Sequence, residues 1–163
     1  MDTDESIVPK YSLSYHHLFE FQASVAPEIS IQRRIADARL SICYFTGGTF
    51  HGKGIQGALL PGGGDWASVI DTSRLQIDVR GTLRTDDGAL IYMQYRGVWL
   101  AARGLLARVI DGAVPYVHEN HYLRVTAEFE TDAEAYGHLN DIVAVGVGGY
   151  ANRGVHYSFY AIE

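Results

Sequence analysis

The chain has 163 residues, 47% of them hydrophobic, which suits one globular domain burying roughly 70% of its unfolded surface. Its formal charge of −6, with no basic run, argues against a nucleic-acid backbone as partner. No apolar run approaches the ~20 residues that span a bilayer, the opening Met-Asp-Thr-Asp-Glu-Ser lacks a signal-peptide core, and Cys43 is the single cysteine, so a disulfide-free cytoplasmic protein is expected.

Residues 1–12 read as a flexible tail ahead of a single domain, 13–163. In 17–25, Phe19, Phe21, Ala23 and Val25 alternate with polar residues, which predicts a strand closed by Pro27. Residues 29–38 fit neither the strand nor the helix period. A second strand is predicted over 40–45 and ended by Thr46-Gly47-Gly48. Residues 49–52 and 57–60 read as short strands around a bend. Pro61-Gly62-Gly63-Gly64 reads as a turn, and 65–70 leads into the longest pattern of the chain.

That pattern covers 74–99. Two alternating flanks meet at Asp87-Gly88, a pair that tolerates positive φ in a tight hairpin. On the first flank Leu75, Ile77, Val79 and Leu83 share one face, and Gln76, Asp78, Arg80, Thr82 and Arg84 the other. On the second, Leu90, Tyr92, Gln94, Arg96 and Val98 alternate against Ala89, Ile91, Met93, Tyr95 and Trp99. A slip of one residue would exchange the faces wholesale, so the register is firmly specified. Either face can point inward, and the pattern leaves that choice open.

A helical period follows over 100–110, where Leu105, Leu106, Val109 and Ile110 can pack together, although Gly104 costs about 1 kcal/mol relative to alanine. Residues 122–129 alternate again. Thr131-Asp-Ala-Glu134 matches a capping box and predicts a short helix through Leu139. Residues 141–148 and 155–162 read as strands. Eighteen glycines and eleven tyrosines without a repeat point to turns, bulges and half-polar strands. Together these patterns predict an all-β protein, an antiparallel barrel or sandwich with one or two short helices.

Thr46-Gly-Gly-Thr-Phe-His-Gly52, Leu60-Pro-Gly-Gly-Gly-Asp-Trp66, Leu83-Arg-Thr-Asp-Asp-Gly-Ala-Leu-Ile-Tyr92, Phe129-Glu-Thr131 and Leu139-Asn140 occur in that order. Over roughly residues 15–162 the chain therefore resembles uncharacterised protein family 0311, also called domain of unknown function 3237. The resemblance implies a closed, lipocalin-like antiparallel β-barrel, commonly a homo-oligomer, and no settled reaction. The family pattern usually has tryptophan before Leu-Asn, where this chain has His138.

A small closed barrel is either filled by side chains or holds one compact ligand. Candidate catalytic residues are Asp65, Asp78, Arg80, Tyr92 and Arg96, because carboxylates move protons while arginine and tyrosine stabilise developing negative charge. Asp78, Arg80, Tyr92 and Arg96 could equally form a cross-strand ion-pair ladder. Candidate binding residues are His51, Trp66, Tyr122, Arg124, Glu130 and His138. Trp66 is either an aromatic wall at the barrel mouth or a plug at its end, and Arg124 is either a carboxylate clamp or a salt bridge.

The seven histidines include His16-His17 and His118-Glu-Asn-His121, but no helical His-Glu-x-x-His, so no metal is expected. The glycine-rich 46–54 lacks Gly-Lys-Ser/Thr opening a helix, and no cofactor is expected. Cys43 has no evident activating partner. The leading reading is a cofactor-independent enzyme that binds a hydrophobic or aromatic metabolite in the barrel and performs isomerisation, cyclisation or hydration/dehydration. The alternatives are a small-molecule carrier or sensor, and a structural subunit with a filled barrel.

Overall fold

The computed structural model describes residues 11–34 and 38–163, so all but the end of the expected tail lies outside the described residues. Ten strands are found there: β1 (Tyr15–Val25), β2 (Ile29–Gln32), β3 (Arg39–Gly52), β4 (Ile55–Leu59), β5 (Gly64–Val69), β6 (Arg74–Thr85), β7 (Leu90–Ala101), β8 (His121–Glu130), β9 (Val143–Ala151) and β10 (Gly154–Ile162). One short helix, α1 (Leu105–Ile110), lies between β7 and β8, and 3-10 turns occupy His118–Asn120 and Glu134–Asp141. The strand order β1-β10-β9-β8-β7-β6-β4-β3 returns to β1 through a direct antiparallel β1–β3 pairing. The sheet is thus a closed, lipocalin-like antiparallel barrel of eight staves, with β4 and β5 sharing one of them.

That shared stave explains the glycine-rich middle of the chain. β4 pairs with the Gly48–Gly52 half of β3, and β5 with the Arg39–Tyr44 half. At the break between them the backbone crosses close to β6, and a Cβ on Gly63 would lie 2.3 Å from the Arg80 carbonyl oxygen. β3 itself does not end at Thr46-Gly47-Gly48, as the sequence suggested. It runs on while exchanging neighbours, from β2 and β5 to β1 and β4. Gly48 permits this, because a Cβ there would lie 2.1 Å from the Gln22 carbonyl oxygen.

The central hairpin forms as its alternation demands. Its register pairs Leu75 with Trp99, Asp78 with Arg96 and Leu83 with Ile91. In the turn only Gly88 has positive φ, +93°, and its N–H donates to the Thr85 carbonyl at 2.9 Å. This is a type I turn closed by a glycine, not a two-residue primed turn.

Barrel closure settles which face goes inside. Leu75, Ile77, Val79, Leu83, Ile91, Met93, Tyr95 and Trp99 are all buried, while Arg84 and Arg96 are exposed. A small interior cannot solvate several charges, so the apolar face wins. One end of the barrel is filled by rings: Phe19 packs against Phe50, Phe129 and Phe159 at centroid distances of 5.6, 5.8 and 5.4 Å.

Two helix expectations shorten. β7 carries its pattern through Ala101, and α1 starts only after Gly104, which sits at φ +80°. At Thr131 no capping box forms: the segment is a 3-10 turn capped by Ala133. The Thr131 hydroxyl instead accepts the Ala133 N–H at 3.2 Å and donates to the Leu90 carbonyl at 2.7 Å.

Candidate functional site

At the end of the barrel away from the phenylalanine cluster, the interior holds a cavity of about 110 Å³. A closed cavity of ~150 Å³ admits benzene; this one is smaller inside but opens outward, so it suits only a compact ligand. Its wall is mainly apolar and aromatic. One polar stripe interrupts it, running from Glu28 and Arg39 through Ser41 and Cys43 to Asp65.

The stripe follows from strand parity. Over residues 39–45 the odd residues of β3 face inward, and the register sets Cys43 opposite Asp65 on β5. The β5–β6 register pairs Asp65 with Val79 and Ser68 with Gln76, with no pairs between them. Where that ladder opens, the Asp65 side chain takes over: its Oδ1 accepts the Asp78 backbone N–H at 3.1 Å. Burial pushes the Asp65 carboxyl up to about 7; the Asp78 N–H opposes that rise and the outer Asp78 carboxylate adds to it.

Two tyrosines complete the chamber. Tyr95 and Tyr157 are 1% and 2% exposed, and their rings meet at 5.2 Å. Both line the cavity. Burial, with Asp65 close by, raises both phenols well above their ordinary range, so they remain proton donors. Burial also raises the Cys43 thiol, which keeps it protonated and weakly nucleophilic.

The rim is built of pairs. Arg39 donates to Glu28 and, at 3.1 Å, to Ser30. On another side Trp99 donates from Nε1 to His121 Nδ1 at 3.0 Å, and Tyr116 stacks on that imidazole at 4.5 Å. Ile110 of α1 and Tyr150 of β9 close the lining.

Of the residues singled out from sequence, Asp65 faces this cavity and the others do not line it. Asp78, Arg80 and Arg96 do converge, but on the outer wall. Asp78 Oδ1 lies 3.3 Å from Arg80 and 3.2 Å from Arg96 Nε, in an open groove that Trp66 also lines. Trp66 neither walls the mouth nor plugs the barrel end; it meets Tyr44 edge-on at 6.0 Å and the Arg80 guanidinium at 6.0 Å on the outside.

Tyr92 and Glu130 are cross-strand partners on a separate outer depression with Asn140. Arg124 stacks on Tyr122 at 4.9 Å and donates to the Leu123 carbonyl. Glu130, six residues along the same strand, is about 20 Å away. His51 and His138 are exposed. The reason is uniform: each sits at the polar parity of its strand or on a surface turn, and a closed barrel turns that parity to solvent.

Sequence reading missed Tyr95, Tyr157, Trp99 and His121 as site residues. Their signal was present as polar tips within an otherwise apolar face, where a buried hydroxyl or imidazole needs a partner.

Residues 13–162 match the family described as a protein of unknown function, DUF3237. A UPF0311 protein of Rhodopseudomonas palustris is 30% identical over 100 residues, covering 61% of this chain and 65% of that relative. A solved protein of Acinetobacter baumannii, described as β-barrel like, superposes with a TM-score of 0.81 at 32% identity, covering 95% of this chain and 99% of the other. A structure described as an enzyme from Penicillium herquei superposes with a TM-score of 0.69 at 20% identity, covering 96% and 98%, a likeness of fold.

Proposed function

Since the chain belongs to the DUF3237 family, of unknown function, its chemistry has to be sought in the cavity, and we propose that the barrel is a cofactor-independent enzyme moving a proton on a compact hydrophobic or aromatic molecule beside Asp65. The observation that carries this reading is a carboxyl that forms no ion pair among the described residues, facing an apolar chamber whose wall includes two tyrosines.

A carboxyl that titrates near neutrality can take a proton and return it without a large energetic mismatch in either direction, and such a group contributes typically ~10²–10⁴ in rate. Its carboxylate is the base. The hydroxyls of Tyr95 and Tyr157 donate to the oxygen on which negative charge grows, in a setting of low polarity where such bonds are strongest. Isomerisation, cyclisation and addition or loss of water all need this pair of actions. The wording of the Penicillium herquei neighbour agrees with an enzyme.

Benzisoxazole tests the reading directly. A base removes its ring C–H proton, the electron pair forms the nitrile, and the N–O bond breaks to leave a phenolate oxygen. The expected rate rises with pH through an inflection near 7 and falls roughly 10²-fold in Asp65→Asn. A rate no higher than that of free propionate, or one untouched by the substitution, would sink the enzyme. Binding of benzisoxazole without ring opening would mark a carrier.

A further inference from the structure

The charges around the chamber are unbalanced. Three ionisable groups of fixed sign line it: Glu28, Arg39 and Asp65. Arg39 is engaged by Glu28 and Ser30, and these two acidic and basic charges cancel at the rim. Asp65 is left alone. The groups facing it are Cys43 from β3, Tyr95 from β7 and Tyr157 from β10, all neutral, and across the wall Asp78, which is itself acidic. Arg80 and Arg96 flank Asp78 on the outer face and Arg39 is held by Glu28, and none of the three forms an ion pair with Asp65.

A carboxylate in this position selects its ligand by charge. An anion would face Asp65 with no free guanidinium to hold it. A neutral molecule leaves the carboxylate desolvated and unpaired. An ammonium group restores the missing charge, and π-faces beside it add attraction for a cation. The rings of Tyr95, Tyr157, Trp99, Tyr150 and Phe45 all line the same space.

We propose that the chamber is selective for a compact apolar amine, its ammonium paired with the Asp65 carboxylate and its hydrocarbon body among the aromatic rings. The proposal rests on the placement of Asp65 that underlies the enzyme reading, and it specifies the ligand class for that same site. It does not depend on catalysis.

Binding of benzylamine, benzyl alcohol and toluene to the full chain, measured by titration calorimetry and ligand-observed NMR, tests it. Near pH 8, where Asp65 is ionised, benzylamine is expected to bind at least roughly tenfold more tightly than benzyl alcohol. Near pH 5 the preference disappears, and between these limits amine binding releases a proton, read from heats in buffers of different ionisation enthalpy. Asp65→Asn removes the preference; should that variant fail to fold, the pH dependence and proton release of the unaltered protein decide alone.

Equal affinity for amine and alcohol near pH 8, or a preference that survives at pH 5 or in Asp65→Asn, overturns the amine proposal while leaving benzisoxazole ring opening to judge the enzyme reading. Failure of all three compounds to bind overturns it as well, together with the chamber as a ligand site.

Discussion

Asp65 and Asp78 stand on neighbouring strands with their carboxyl groups on opposite sides of the barrel wall, yet the Asp78 N–H donates to Asp65 Oδ1 at 3.1 Å. The inner acid thus mends the strand ladder as well as facing the cavity. The two roles separate by substitution. Asparagine keeps an acceptor for the Asp78 N–H, whereas alanine leaves that N–H unsatisfied at a cost of about 1–3 kcal/mol.

The first prediction concerns stability against pH. The folded-state pKa of Asp65, about 7, lies above its unfolded value near 3.9, so the folded chain binds more protons between them. Its contribution to stability is fully present below ~4, falls as pH rises to about 7, and is then flat, a span of roughly 4 kcal/mol at most. Urea unfolding of the unaltered chain and Asp65→Asn at several pH values isolates it. The asparagine variant is expected to gain on the parent as pH rises; parallel curves would contradict the burial of this carboxyl.

The tyrosine hydroxyls should matter to chemistry and little to folding. Tyr95→Phe and Tyr157→Phe each remove one hydroxyl from a ring that lines the cavity and keep the ring itself in place. Thermal midpoints should hold within a few degrees, corresponding to under about 1 kcal/mol. Turnover of benzisoxazole should drop roughly tenfold or more in at least one of them. Unchanged turnover in both removes the tyrosines from the mechanism.

His121 should make the rim acid-sensitive. Trp99 donates to its Nδ1, so protonation would set two donors against each other, and burial already lowers this imidazole. A lowered histidine binds fewer protons folded than unfolded. Its contribution is therefore fully present above ~6.5 and is lost below that, as pH falls through the lower folded-state value. Trp99→Phe leaves both imidazole nitrogens without a partner and should cost about 1–3 kcal/mol in urea unfolding.

Closure of the barrel can be attacked at Gly48. A Cβ there would lie 2.1 Å from the Gln22 carbonyl oxygen, between β1 and β3. Gly48→Ala should destabilise by more than about 2 kcal/mol or prevent folding. A soluble variant with an unshifted unfolding midpoint would argue against the close β1–β3 approach.

The outer ladder supplies the contrast. Asp78→Asn breaks two exposed ion pairs, worth under about 1 kcal/mol together. Removing that nearby carboxylate should move the Asp65 titration downward, read as an earlier inflection in the benzisoxazole pH profile. Turnover at high pH should stay as it was.

Much of this architecture was legible from spacing alone. The alternation of Leu75, Ile77, Val79 and Leu83 against Asp78, Arg80 and Arg84 specified a register, and period-two patterns placed most of the strands. The neighbour-switching glycines misled, because Gly47-Gly48 looks the same whether a strand stops or merely bends past another. Residues 29–38 stayed opaque because β2 is a four-residue, fully exposed edge with no burial pattern to leave.

Composition and periodicity by themselves determined a β protein with one strongly specified hairpin and two chemically distinct faces. Only tertiary structure decided which face meets water, because that choice depends on the sheet closing around a space too small to solvate the arginines. It also decided the fate of Asp65 and Trp66. Local preference would send the indole inward and the carboxylate out, but the pairing of β5 with Cys43 and Val79 holds the opposite parity, and one acid remains inside.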